Sequence, residues 1–276
     1  MVSAELRQRI EAHLEWYHTI EIEPGLVTPG AFDYRDVIDG LPLPDASGLR
    51  CLDVATYDGY YAVELHRRGA AEVVAIDISD HAQWDWPPRK RQAGIERLSR
   101  ERAAKGLGFE LVNEALGSPI KKIELSVYDL KPQVVGTFDL VTCGALLLHL
   151  RDPFRALEAI RSVTGTWFFS NESVDVGLST LLRRTPAFRL NTNLPTPTGQ
   201  WLVPNAAGFR EMIRAAGFDI ESDSGNYVLP FGPGYTYSNT TGLRALGKRL
   251  ATSALTRSRG RAGGPHRALL TRPADL

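Results

Sequence analysis

Two cysteines in 276 residues leave no room for a disulfide framework. Cys51 and Cys143 each sit in an apolar run, where reduced, buried thiols are expected. No Cys/His cluster has zinc spacing, and no carboxylate set is spaced as metal ligands, so no metal residue is assigned, although a divalent ion could assist a hydroxyl. No apolar run approaches the ~20 residues that a membrane-spanning helix needs. The first residues carry no apolar signal region, so a cytoplasmic setting is the expectation. An excess of either charge is missing as well: 32 Lys and Arg stand against 32 Asp and Glu. No global field therefore draws in nucleic acid or a membrane surface. One further absence matters most. The stretch Arg50–Ser79 reads as strand, turn, helix and strand, yet it lacks the G-x-G-x-x-G turn that seats a pyrophosphate on a helix N-terminus.

What stands there instead points to a cation. Cys51-Leu52-Asp53-Val54 is a short apolar run of the kind a buried parallel strand takes. Thr56-Tyr57-Asp58-Gly59 supplies a turn, and Gly59 tolerates angles that a Cβ resists. Tyr60 to Arg68 has helical spacing and stops at Gly69. Val73-Val74-Ala75-Ile76 is a second strand that ends at Asp77. The three glycine positions are Ala55, Tyr57 and Gly59, with Asp53 and Asp58 beside them. Carboxylates there repel pyrophosphate and suit a positive ligand, which lies across the carboxyl ends of the strands. An acid after the second strand can accept both hydroxyls of a ribose. S-adenosylmethionine carries an ammonium, a sulfonium and a ribose, so the stretch resembles motif I and the acidic strand end of class I methyltransferases. Candidate cofactor contacts here are Asp53, Ala55, Tyr57, Gly59, Asp77 and Ile78. A βαβ unit without a ligand is the competing reading, and it leaves Asp53 and Asp77 poorly placed.

The rest of the chain divides around this unit. Residues 1–45 read as a cap: Leu6, Ile10, His13, Leu14 and Tyr17 share a helical face. Tyr17 and His18 either face a transfer pocket or pack in the core. Residues 46–237 form the main domain. In its loop 80–88, Trp84 and Trp86 either wall an adenine or anchor the loop. Arg89 to Lys105 reads as a solvated helix. Ile123–Val127 is a strand, and Val127 with Tyr128 would flank the base. Phe138–Cys143 is the next strand, with Cys143 and Gly144 at its end and His149 closing the following loop. Trp167–Glu172 is the fifth strand. Residues 175–204 have the length and Thr/Pro/Asn content of a lid or substrate loop. Asn205 caps a helix that Gly217 ends. Phe218–Ser222 and Asn226–Leu229 are expected to be the last strands, paired as a hairpin. Residues 238–276 are a basic tail, either solvated or a grip for phosphate, RNA or acidic lipid.

The segments LDVATYDGYYAVELHRRGA, VVAIDIS, GTFDLVTCGALLLHLRDPFRAL and WLVPNAAGFREMIRAAGF together resemble a bacterial branch of class I methyltransferases. That branch includes the enzyme that modifies wobble uridine in tRNA with a carboxymethyl group. The resemblance runs from about Trp16 to about Ile220. It implies an α/β, Rossmann-like fold: a mostly parallel seven-stranded sheet with helices on both faces and an N-terminal helical cap. It also implies Asp53, Gly59 and Asp77 as cofactor contacts, with Gly144 and His149 as the site floor. The tRNA enzyme holds its carboxylated cofactor with a lysine, a tyrosine and an arginine. Their places fall at His18, Leu148 and Thr198 here, which lose charge-assisted hydrogen bonds of roughly 1.5–3 kcal/mol each. Plain S-adenosylmethionine is therefore the expected donor and S-adenosylhomocysteine the product.

The expected reaction is in-line methyl transfer to a hydroxyl, which needs orientation and a base. His149 is the candidate base, because a histidine titrates near neutrality. Glu172 would orient the imidazole or share in deprotonation, and Tyr17 would hydrogen-bond the acceptor. His18, Trp201 and Tyr227 are counted as acceptor contacts. The polar loop Asn191–Gln200 beside Trp201 suits a sugar more than a lipid or polyketide. Two alternatives stand: an RNA-modifying enzyme gripping phosphate with the tail, and a non-catalytic cofactor-binding scaffold.

Overall fold

The computed structural model describes residues 2–14, 16–101, 105–192, 199–235 and 262–275. Ser3 opens α1 (Ala4–Ala12), its hydroxyl accepting from the Leu6 N–H. β1 (Glu21–Glu23) and β2 (Leu26–Val27) pair as a small antiparallel ribbon. The central unit follows as β3 (Arg50–Val54), α2 (Tyr60–Arg67) and β4 (Glu72–Asp77). After it come α3 (Arg91–Glu101), α4 (Leu107–Leu116), β5 (Lys121–Glu124), α5 (Pro132–Val135) and β6 (Phe138–Gly144). Asp152 then caps α6 (Pro153–Val163) by accepting from the Arg155 N–H, with Pro153 in the first turn, where a missing N–H costs nothing. β7 (Thr164–Ser173), α7 (Val176–Leu181), β8 (Phe188–Leu190), β9 (Leu202–Pro204), α8 (Ala206–Ala215), β10 (Phe218–Pro230) and β11 (Gly263–Pro273) complete the order.

Strand alternation builds two cores. Successive side chains of a strand face opposite sides. Cys51, Val73 and Ala75 accordingly pack with α2, α4 and the N-terminal segment. Leu52, Val54, Val74 and Ile76 pack on the other face with α6 and α8. α6 reaches that core through Ala156, Leu157, Ile160 and Val163, one face of a helix. Because both faces are covered, the strands read as continuous apolar runs.

The sheet order is β10-β11-β7-β6-β3-β4-β5. β7, β6, β3, β4 and β5 are parallel, and β11 and β10 close the other side antiparallel. The chain leaves β3 toward β4 and returns on its other side as β6, so the switch point lies between β3 and β6. Ligands of such sheets bind outside the carboxyl ends at that point.

Two expectations need correction. The segments 218–222 and 226–229 are not a hairpin but one bulged strand, β10. Its partner is β11, which lies inside what reads from sequence as a basic tail. The cations on β11 are matched: Arg267 pairs with Asp223 at 2.5 Å and Arg272 with Glu221 at 2.6 Å. Residues 238–261 of that tail lie outside the described residues, as do 193–198 of the 175–204 loop.

Candidate cofactor and acceptor site

The turn after β3 keeps glycine geometry where glycine is gone. Ala55, Tyr57 and Gly59 have φ of 59°, 51° and 91°, all left-handed. For Ala55 and Tyr57 this costs about 1–2 kcal/mol each. Gly59 has a second reason to be glycine: a Cβ would stand 2.8 Å from the Phe109 ring. The strained path aims the Tyr57 N–H at Asp77 Oδ2, 2.8 Å away. The Ile78 N–H donates to Asp77 Oδ1 at 2.7 Å. A carboxylate at the end of β4 is thus fixed from both sides by backbone. Lys105 adds a third donor, its Nζ 2.6 Å from Asp77 Oδ1.

The two other acids of the turn work inward. Asp53 is buried; its oxygens accept from the Thr142 hydroxyl and from the Ala62 N–H of α2. Burial pushes its carboxyl up to about 7. Asp58 Oδ2 accepts from the Tyr17 N–H at 2.6 Å and the His18 N–H at 2.9 Å, pinning the N-terminal cap to the turn. Replacing it leaves two buried N–H groups without an acceptor, at about 1–3 kcal/mol each. Asp58→Ala is expected to lose about 2–6 kcal/mol in urea unfolding. Asp58→Asn, which keeps one acceptor oxygen, should lose less than half of that.

Beside Asp77 opens a solvent-open cleft lined by Ala55, Asp77, Ile78, Val127, Tyr128 and six more residues of loops and strand ends together with Ile76. Its outer wall is the loop 80–88, held by a polar clamp. Asp85 Oδ2 accepts from the Tyr128 hydroxyl at 2.5 Å and the Arg151 N–H at 2.9 Å, while its carbonyl accepts from Trp201 Nε1 at 2.6 Å. Trp86 is buried and donates to the His81 carbonyl, so it anchors the loop. Trp84 stacks on Trp86 at 5.8 Å and covers the Lys105 ammonium at 4.7 Å.

The ends of β6 and β7 form the neighbouring region. Glu172 is buried, and its Oε1 accepts from the Leu146 and Leu147 N–H groups at 3.1 and 3.2 Å. Burial raises its carboxyl to about 8. It therefore fixes the backbone turn that carries His149. The His149 Nδ1 lies 3.0 Å from the Gly199 carbonyl. A carbonyl only accepts, so Nδ1 bears a proton. On the opposite face of β7, Asn171 donates to the Tyr61 hydroxyl and accepts from the Tyr227 hydroxyl at 2.9 and 2.8 Å. Tyr17 packs against Tyr57 and His18, with ring centres 5.3 and 4.8 Å away. His18 is buried and held neutral, its pKa lowered to about 3 by desolvation. Its Nδ1 has no hydrogen-bond partner among the described residues.

Ala55, Asp77, Ile78, Val127 and Tyr128 meet along one cleft, whereas Asp53 and Cys143 do not line it. Asp53 braces α2 from below, and the Cys143 thiol is fully buried in the second core. Gly144 abuts the Tyr61 ring and Gly59 the Phe109 ring. Tyr227 holds Asn171 rather than presenting its hydroxyl outward, and Trp201 braces the outer loop rather than offering an unengaged indole. Sequence reasoning missed Gln83, Asp85, Lys105 and Asn171. Asp85 lies between two tryptophans already singled out, and Asn171 precedes Glu172. Nothing in the charged run 89–105 distinguishes its last lysine.

Against this geometry, the family described as a methyltransferase domain matches residues 31–223. The chain belongs to that family. This methyltransferase is 25% identical over 241 residues to the ubiquinone biosynthesis O-methyltransferase of Chromobacterium violaceum, covering 85% of this chain and 90% of the relative. Among solved structures, the N-terminal domain of EvdMO1 with SAH bound has a TM-score of 0.55 at 15% identity, covering 100% of this chain and 98% of the other. The same domain in the presence of SAH and D-fucose gives 0.54 at 15% identity, covering 98% and 96%. The methyltransferase is of class I and uses S-adenosylmethionine. The cleft fits that cofactor: a carboxylate fixed by two backbone N–H groups faces a slot floored by Ile76, Leu125 and Leu150. Such a donor set suits a nucleoside, with a diol on the acid and a flat base on the apolar side. Among the described residues no His, Cys, Asp and Glu group could hold a metal ion, and no helix is long and apolar enough to cross a membrane.

Proposed function

We propose that this methyltransferase transfers a methyl group to a hydroxyl of a small molecule, with a saccharide as the leading acceptor class. When bound, S-adenosylmethionine supplies an electrophilic methyl group on a sulfonium. Asp77 takes the ribose hydroxyls, Ala55, Tyr57, Gly59 and Ile78 shape the turn around the nucleoside, and Val127 and Tyr128 flank its base. Gly144 floors the passage to the acceptor. His149 Nε2 removes the acceptor's proton. Tyr17 and His18 wall the acceptor, while Tyr227 acts at one remove through Asn171. The observation that carries this reading is the contact of His149 Nδ1 with the Gly199 carbonyl, which orients the ring on a turn that Glu172 fixes. O-methyl transfer also agrees with the name of the curated relative, and the saccharide class with the sugar present beside a whole-chain structural neighbour. The two cysteines are free and buried, which supports a cytoplasmic location.

General-base catalysis contributes about 10²–10⁴-fold. His149→Ala is expected to lose that much in kcat while S-adenosylhomocysteine affinity stays unchanged. Near-wild-type turnover would remove His149 as the base. Glu172 gives a second check: an activity limb with an apparent pKa near 8 that vanishes in Glu172→Gln would move the base role to Glu172. The acceptor class is tested with methyl-labelled S-adenosylmethionine and a fractionated host extract. Label in the saccharide or metabolite pool, indifferent to nuclease, supports the proposal. Nuclease-sensitive label returns the protein to RNA modification. The described basic residues of the tail weigh against that outcome, since Arg267 and Arg272 are already paired with acids.

A further inference from the structure

The carboxylate assigned to the ribose is already occupied by a side chain. Lys105 Nζ lies 2.6 Å from Asp77 Oδ1 and donates to the Ile78 carbonyl at 2.8 Å. The Lys105 and Asp77 side chains are only 7% and 6% exposed. Two rings roof the ammonium, Trp84 at 4.7 Å and Tyr57 at 5.4 Å from their centres. The remaining Asp77 oxygen, Oδ2, accepts from the Tyr57 N–H. Oδ1 is therefore filled by the Ile78 N–H and the lysine, and while the lysine stays only one acceptor position, on Oδ2, is left where a diol needs two.

The neighbouring cleft is differently built. Its floor is apolar and its lining includes Asp77 and Ile78 but not Lys105. A base could enter it with the lysine in place; the ribose could not then set both hydroxyls on Asp77. We infer that Lys105 is a specificity-determining residue of the cofactor site, an internal cation that the ribose hydroxyls must displace from Asp77 before the nucleoside can seat. The inference rests on the proposed role of Asp77 as ribose acceptor. Its consequence is a cofactor affinity set lower than the cleft alone would give. A ligand unable to replace an ammonium on that carboxylate is rejected.

The test is titration calorimetry with S-adenosylhomocysteine. Lys105→Met removes the charge and keeps the stem under the two rings. It is expected to tighten the S-adenosylhomocysteine Kd by about tenfold or more, the scale of one charge-assisted hydrogen bond. Lys105→Arg keeps a cation and should stay within about threefold of wild type, given the weaker geometric fit of a planar fork. Unchanged or weakened binding in Lys105→Met overturns the inference. A second measurement uses the unaltered protein: an amine-acylating reagent, with modified lysines mapped by mass spectrometry. Lys105 should react slowly alone and faster in the presence of saturating S-adenosylhomocysteine; equal or slower reaction with ligand also overturns it. Asp77→Ala separates the two layers. If that variant binds S-adenosylhomocysteine like wild type, the ribose assignment itself is wrong. If it fails to bind while Lys105→Met is no tighter, only the displacement is wrong.

Discussion

A chain ending at Ala262 is expected to show no cooperative unfolding transition. The loss looks minor in sequence, a short stretch with three prolines or glycines at its start. In the fold it removes an interior strand. β11 pairs on one side with β10 from Phe218 to Pro230 and on the other with β7 from Phe168 to Ser173. Ala268, Leu269 and Thr271 are fully buried. The Arg161 guanidinium donates to the Ala274 carbonyl at 2.6 Å, tying α6 to the end of the strand. Each ladder hydrogen bond is worth about 0.5–1.5 kcal/mol net, and a buried leucine a further 1.5–3 kcal/mol or so. Their sum exceeds the roughly 5–15 kcal/mol that holds a domain folded. Circular dichroism and calorimetry on the shortened chain should show a broad, featureless melt. A sharp transition close to that of the full chain would mean that β10 can pair with β7 directly.

The second large effect falls on the cofactor. Asp77→Ala should weaken S-adenosylhomocysteine binding by about 100-fold or more. Two hydroxyl donors to a carboxylate are worth roughly 1.5–3 kcal/mol each, and about 1.4 kcal/mol is tenfold in Kd. The substitution also leaves the Tyr57 N–H without its acceptor on a turn with two strained residues. Calorimetry reads the affinity, and urea unfolding reports any loss of stability separately. Asp77→Asn should fall between, since the amide keeps one acceptor oxygen but turns a donor toward the diol. Wild-type affinity in Asp77→Ala would place the nucleoside elsewhere.

The β3–α2–β4 unit could be read from sequence because everything it needs is local. Its apolar runs, turn residues and terminal acid lie within a span of 30 residues or so. The direction of each acid could not be read that way. Asp53 and Asp58 flank the turn just as Asp77 does, yet their partners are Thr142, Ala62, Tyr17 and His18. Those partners come from other elements, so only the folded sheet decides which carboxylate remains for a ligand. β11 was hidden for a related reason. Gly263, Gly264 and Pro265 open it, His266, Arg267 and Arg272 charge it, and only Ala268 to Leu270 is apolar. Its acids lie on β10, so the balance of charge appears only when the two strands are paired. Lys105 is the extreme case. It closes a run of cations that reads as solvated, and its burial depends on Asp77 at the end of β4 and on Tyr57 and Trp84 from two separate loops.

The position of β11 also sets the order of events during synthesis. The strand leaves the ribosome after every other element described, yet its place is between β7 and β10, not at an edge. Until it arrives, the sheet is parted at that seam, and the two strands flanking the gap expose unpaired N–H and C=O groups. Such edges recruit other chains, and late, non-local strand pairing is slow. The nascent enzyme is therefore most open to aggregation in the interval before β11 has emerged and paired, and a chaperone that shields strand edges would act on it in that interval.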